Sequence, residues 1–452
     1  MAGNPIVVIH GWSDNSESFI KLSEKLERET GQTAEQVWLG DYVSLDDDVR
    51  LSDIATALEV AWIEKGLPAT KNSVDVIVHS TGALVIRMWM DVFYAAKGKR
   101  PPVENLVMLA PANFGSPLAH KGRSLIGRVF KGAKSDKPLQ TGTQLLKALE
   151  MASPFTWDLA ERDRFQSNVF SNGGVRCTVI VGNAPYSGIK GIAHEDGSDG
   201  TVYVSTANLN CARVEIAVAR SSTGEDKISL RSQKKSRGTA AFLLLNGFDH
   251  GEITGKERLP EQLVDPILKA LRVKAGQFAQ WCAECDEATR AVSAKHARKR
   301  DAERHDFQNT VFRVRDDQGH PIEDYTVEFY GSFTAPKDRW ARVFNRDVSG
   351  KTHPYSDNNA FRSFMINVTR LARELPKNST RLRISFSAMP DIADDKTIVG
   401  YRTTGVDDIG QIELDSETAL EFFQPNRTLF VSVVLPRYQK DAVFQLEQLE
   451  NS

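Results

Sequence analysis

Val76-Ile77-Val78-His79-Ser80-Thr81-Gly82-Ala83 decides how this chain is read. An apolar run, of the kind a strand buried on both faces requires, ends at a serine. An apolar helix containing a glycine begins at once and runs on through Leu84 to Tyr94. That is the context a nucleophile elbow needs. The tight turn would hold Ser80 above the C-terminal edge of a sheet. Gly82 would let the helix approach the strand closely. The backbone N–H of Thr81, at the helix N-terminus, would point where an oxyanion forms. A short Ser-x-Gly also occurs in plain strand-to-helix turns, so the flanking sequence has to decide.

Upstream, Ile6–Ile9 is a second apolar run, and Ser13 to Ser16 offers several helix caps. Phe19, Leu22 and Leu26 follow at helical spacing. Val37-Trp38-Leu39 reads as a strand, and Leu51 to Ile63 as a helix with Ile54, Leu58 and Trp62 on one face. Downstream, Leu106 to Leu109 is another strand. This alternation predicts an α/β fold with a mainly parallel sheet and right-handed crossovers. It stops at Asn113. Residues 113–174 lack strand pattern and hold helical pieces such as Leu145 to Met151, too long for an ordinary connection, which predicts a functional insertion. Strand patterns resume at Thr178 to Val181, Val214 to Val218 and Phe242 to Leu245, and residues 261–272 read as a closing helix.

Residues 276–306 read as a helix that becomes charge-dense after Cys285, a linker or packing helix. From Thr310 the pattern switches to period two. Thr310 to Arg315, Asp317-Gln318-Gly319 and Tyr325 to Tyr330 form a hairpin-like signal. Arg381 to Phe386 and Leu429 to Leu435 are further strands, with a helix expected near Phe361–Leu375. The expected division is a catalytic domain at 1–275, a connecting helix at 276–306 and a β-sandwich-like domain at 307–452.

With 57 basic and 59 acidic residues, the net charge of −2 gives no electrostatic reason to expect nucleic-acid binding. At 41% apolar and 26% charged, the composition is that of a globular chain. No apolar run approaches the ~20 residues needed to cross a bilayer. Met1 to Pro5 lead directly into a strand, without a secretory signal pattern. Cytoplasmic residence at synthesis is therefore expected, with signal-independent bacterial export as the alternative. Cys177, Cys211, Cys282 and Cys285 do not make a disulfide framework at this size, and the Cys282/Cys285 pair has no second ligand pair beyond it.

The elbow resembles that of the α/β-hydrolase family, and within it the lipases. The family pattern is G-x-S-x-G, and Val78 stands here in place of the first glycine. Three other segments strengthen the resemblance. Ile9-His10-Gly11-Trp12 ends the first strand like a lipase oxyanion loop, which implies the Trp12 N–H as a second oxyanion donor beside that of Thr81. Gly197-Ser198-Asp199-Gly200-Thr201-Val202 lies where similar lipases carry the triad acid, which implies Asp199, with Glu195 and Asp196 as neighbouring alternatives. Leu243-Leu244-Leu245 leads to Asp249-His250-Gly251, where the family places its general base, which implies His250, with His194 as the alternative. The order Ser80, Asp199, His250 is the hydrolase order.

The resemblance implies a serine carboxylic-ester hydrolase, a lipase or phospholipase, that needs neither metal nor organic cofactor. Acyl transfer or amide hydrolysis would use the same triad. A non-catalytic hydrolase-fold scaffold is the rival of another class. Ala112-Asn113-Phe114-Gly115-Ser116-Pro117 introduces the insertion, which in lipases is a lid. Residues 121–137 hold six basic residues and one acid around Leu125, Ile126, Val129 and Phe130, a pattern suited to an anionic membrane surface or to a solvated loop. Phe155, Trp157 and Phe165 read as packing against the body, with an acyl groove as the alternative. Residues 220–237 hold six basic residues and two acids, flanking the same mouth or forming a solvated hairpin. The C-terminal β region is expected to bind lipid or a protein partner, or to pack.

Overall fold

A computed structural model describes residues 3–9, 19–39, 47–121, 142–171, 173–185, 195–219, 227–298, 306–330, 348–378, 381–392, 398–402, 412–415 and 421–439. The chain divides into two compact units. The first comprises Met1–Ala212, Lys234–Asn309 and Gln424–Leu429; the second comprises Arg213–Gln233, Thr310–Phe423 and Phe430–Ser452.

The first unit is built on strands β1 (Ile6–Ile9), β2 (Ala34–Val37), β3 (Val74–His79), β4 (Val103–Leu109), β5 (Arg176–Gly182) and a strand at Ala241–Leu245. Two strands of the chain, β6 (Cys211–Ala219) and β7 (Lys227–Lys235), come between β5 and that last strand, which is therefore β8. The sheet order is β2-β1-β3-β4-β5-β8, and every adjacent pair is parallel. Every residue of β1, β3 and β8 is buried, as a parallel sheet covered on both faces requires.

Helix α1 (Ile20–Thr30) buries Leu22 and Leu26, and ends at Gly31, whose φ of 68° allows the left-handed cap. Helix α2 (Leu51–Glu64) packs on α3 (Gly82–Phe93), where the Trp62 and Trp89 rings lie 4.7 Å apart. The insertion carries α4 (Thr143–Leu149), α5 (Pro154–Ala160) and a π-helical turn at Glu161–Gln166. Trp157 and Phe165 are buried there and Phe155 is half-buried, so these aromatics do pack. The basic run beyond Lys121 lies outside the described residues.

The closing helix α6 (Glu261–Arg272) joins the core through Leu263, Val264, Ile267 and Leu271. Helix α7 (Phe278–Arg298) joins it through Trp281, Cys282 and Cys285. Burial pushes the Cys282 thiol up to about 11 and the Cys177 thiol up to about 12.

The second unit holds two main sheets. Strands β9 (Phe307–Asp316), β11 (Ser349–Pro354), β12 (Phe361–Asn367) and β16 (Thr428–Leu435) join β6 and β7 in the order β11-β12-β9-β16-β6-β7. Strands β10 (Tyr325–Tyr330), β13 (Arg381–Ala388) and β15 (Ile412–Asp415) form an antiparallel trio. A two-residue ribbon pairs β14 (Val399–Gly400) with β17 (Tyr438–Gln439). Phe312 of β9 meets Phe364 and Phe386 at ring separations of 5.2 and 5.8 Å, joining the two main sheets.

Several expectations change. Val214 to Val218 is a strand, but of the second unit's sheet. The chain turns at Asp316 to Gly319 as the sequence signals, yet β10 pairs with β13 and not with β9. The helix expected near Phe361–Leu375 begins only at Val368, as α8 (Val368–Asn378), because Phe361–Asn367 joins a sheet beside β11. Among the described residues, no helix is long and apolar enough to cross a membrane.

Candidate active site

Ser80 sits between the last residue of β3 and the first turn of α3 with φ of 53°, a left-handed conformation that non-glycine residues adopt only under constraint. The constraint comes from the neighbouring strand and the loop after it. The Ser80 amide donates to the Leu109 carbonyl at 3.0 Å, and its own carbonyl accepts from the amides of Ala83 and Ala112 at 3.2 and 3.3 Å. Val78 finds its room inside the sheet, buried between Ile9 and Met108. Thr81 has helical dihedrals, so its amide belongs to the first turn of α3.

The acid loop is organised by its own side chains. Ser198 Oγ donates to the Glu195 carbonyl at 2.6 Å and accepts from the Gly200 amide at 3.2 Å. Asp199 is fully buried. Its Oδ1 accepts from the amides of Thr201 and Val202 at 2.9 and 2.8 Å. Its Oδ2 lies 2.8 Å from His250 Nδ1, and His250 Nε2 lies 3.1 Å from Ser80 Oγ. The hydroxyl, imidazole and carboxylate expected together from the sequence thus form one continuous hydrogen-bonded chain, all three buried. Asp199, not Glu195 or Asp196, takes the position on the ring. Such a chain lets the imidazole accept the hydroxyl proton while the carboxylate balances the charge that forms.

The loop carrying His250 is aimed by residues the sequence reading passed over. At Gly182, ending β5, any Cβ would run into the Phe248 carbonyl oxygen. That carbonyl accepts from the Ala184 amide at 2.9 Å, and Asn183 Oδ1 accepts from the Gly247 amide at 2.9 Å. A glycine closing an otherwise branched apolar strand was the available signal. Asp249 Oδ1 accepts from the amides of Gly251 and Glu252, both at 2.8 Å, while burial raises its pKa. Burial, more than the neighbouring Glu195, raises the pKa of Tyr203 beside the acid loop.

Behind the elbow, Arg87 of α3 forms a buried two-point ion pair with Asp163, at 2.7 and 3.0 Å, and donates to the Asn113 carbonyl at 2.9 Å. Ser116 Oγ donates to the Thr201 carbonyl at 2.5 Å. The start of the insertion is thereby tied to both α3 and the acid loop. Trp12, His10 and His194 lie outside the described residues. Among the described residues, no group of three or more His, Cys, Asp or Glu side chains is set to hold a metal ion. Cavities of about 580, 620 and 630 Å³ are lined by other residues, including Arg100 and Arg162, Phe170 and Cys282, and Trp281 and Cys285.

No family model matches the chain, and no curated protein does. Among solved structures, phospholipase PlaB from Legionella pneumophila is similar over 98% of this chain and 96% of its own, at 23% identity and a TM-score of 0.81. PlaB in complex with thio-NAD is similar over the same shares, at 22% identity and a TM-score of 0.82. At such identity the likeness is one of fold. With its parallel sheet, its strand–Ser80–helix elbow and the order serine, aspartate, histidine along the chain, this protein has the α/β-hydrolase fold, extended by a sheet-rich second unit.

Proposed function

We propose that the first unit is a serine carboxylic-ester hydrolase acting on lipid esters, a lipase or phospholipase. The observation that carries this reading is the Ser80–His250–Asp199 hydrogen-bonded chain, presented on a turn held at positive φ. Ser80 Oγ attacks the ester carbonyl and His250 Nε2 takes its proton. Asp199 keeps the other ring proton on Nδ1 and stabilises the imidazolium. The Thr81 amide, joined by that of Trp12 as the lipase resemblance implies, receives the oxyanion. His250 returns the proton to the departing alcohol, leaving an acyl-Ser80 ester, and water then repeats the cycle.

Two features support a lipid as the ester. One is the fold shared with a protein named a phospholipase. The other is the cationic, apolar sequence of residues 121–137, suited to an anionic lipid surface.

A fluorophosphonate probe tests the chemistry. Labelling should be confined to Ser80, and Ser80→Ala should lower ester turnover by ~10⁴–10⁶. Folded protein that takes no label would end the reading. A panel of phospholipids, neutral lipids and short esters, with products identified by mass, then fixes the substrate class. Turnover of short esters alone would refute the lipid assignment while keeping the triad.

A further inference from the structure

His79 is the last residue of β3, directly before the nucleophile turn. It is buried, and its Nε2 lies 3.2 Å from the main-chain carbonyl oxygen of His250. A carbonyl oxygen only accepts, so His79 is the donor and carries a proton on Nε2. Its ring packs against that of His250, with centroids 4.7 Å apart and planes inclined by 45°. On another side it meets Phe19 edge-on at 5.8 Å.

Residue 250 is therefore held by its peptide as well as by its ring. Its amide donates to the Asp199 carbonyl at 2.9 Å, its carbonyl accepts from His79, and its two ring nitrogens face Asp199 and Ser80. Two of these hydrogen bonds come from consecutive residues, 79 and 80. In a continuing strand their side chains would point to opposite faces. The positive φ at Ser80 turns the hydroxyl so that both reach the same histidine, one at its ring and one at its peptide.

We propose that His79 is a positioning residue. Its Nε2–H, acting through the His250 carbonyl, holds the His250 imidazole against Ser80 Oγ. His79 touches neither substrate nor the transferred proton. The proposal rests on the hydrolase reading of the same site. Without the donor, a buried carbonyl loses a partner and the peptide after His250 reorients, taking the ring with it. A displacement of about 1 Å at a reacting group costs up to ~10²-fold in rate.

The full-length protein is compared with His79→Phe, which keeps a ring without the donor, and His79→Gln, which restores an N–H near the same place. Fluorophosphonate labelling of the unaltered protein comes first, because its failure would sink the hydrolase reading and leave the tautomer test below intact. In active protein, His79→Phe should lower kcat ~10–100-fold with KM within about twofold, and should slow Ser80 labelling by the same factor. His79→Gln should recover most of both. Wild-type kcat in His79→Phe, or equal impairment in the two variants, would overturn the proposal. Ring ¹⁵N NMR of the unaltered protein needs neither variant nor turnover. It should report a proton on His79 Nε2, and a proton on Nδ1 in place of Nε2 would overturn the proposal outright.

Discussion

Asp199 divides its two oxygens between two tasks. Oδ1 is fixed by the amides of Thr201 and Val202, which leaves Oδ2 aimed at His250 before any substrate arrives. In Asp199→Asn the amide oxygen would keep the two backbone bonds, so its NH2 would face His250 Nδ1. The imidazole would then have to carry its proton on Nε2 and donate to Ser80 instead of accepting from it. Turnover should fall ~10⁴-fold with little change in melting temperature. Asp196→Asn should stay near wild type, and the reverse pattern in the two variants would relocate the acid. The resemblance to the lipases, read on the elbow and two loops, picked out three residues that the fold brings within hydrogen-bond distance. His79 was not legible in the same way, and at Gly182 only a glycine closing an apolar strand could be read. Their significance depends on the His250 and Phe248 carbonyls, about 170 and 66 residues away along the chain, and no local pattern encodes a long-range approach of that kind.

Among elements, α7 shows what a charge-dense helix conceals. Its sequence predicts a linker or packing helix, and its first half lies in the core through Trp281, Cys282 and Cys285. β8 is an edge strand, and α7 closes that edge. Thr289 Oγ1 accepts from the Leu244 amide at 3.0 Å and donates to the Phe242 carbonyl at 3.1 Å, replacing rungs that a neighbouring strand would supply. Thr289→Val fills the same volume but leaves both groups buried and unpaired. It should cost ~1–3 kcal/mol in urea unfolding, while Thr289→Ser should stay close to wild type. Equal stability of all three proteins would show that water or another group serves that edge. The failure at Phe361–Asn367 has the opposite origin. Phe361, Phe364, Met365, Val368, Leu371 and Leu375 recur at helical spacing, and pairing with β11 overrides that pattern in the first half.

At the scale of the molecule, the change to period two after Thr310 announced a separate β-rich unit, but the chain's path through it was not legible. Val214, Ile216 and Val218 alternate as any half-buried strand would, and alternation does not say which sheet a strand joins. In the structure this strand leaves the first unit between Asp199 and His250, enters the second unit's sheet beside β16 and returns through β7. The exit and return lie side by side in the first unit, where the Ser236 amide donates to the Cys211 carbonyl at 2.9 Å, and Asn210 bonds Ala240 through both its amide groups at 2.8 and 2.9 Å. A shortened chain covering residues 1–306 would keep the hairpin but lose β16. A two-stranded ribbon with a bare apolar row is marginal alone and prone to pair with another copy. That chain should be insoluble or associated by size-exclusion chromatography with light scattering. Replacing residues 213–233 in it by a short Gly-Ser turn should restore a soluble monomer that still takes the fluorophosphonate label. Both shortened chains lack Gln424–Leu429, so the comparison isolates the hairpin. A soluble monomer with the hairpin intact would mean that β6 and β7 do not depend on β16 for their cover.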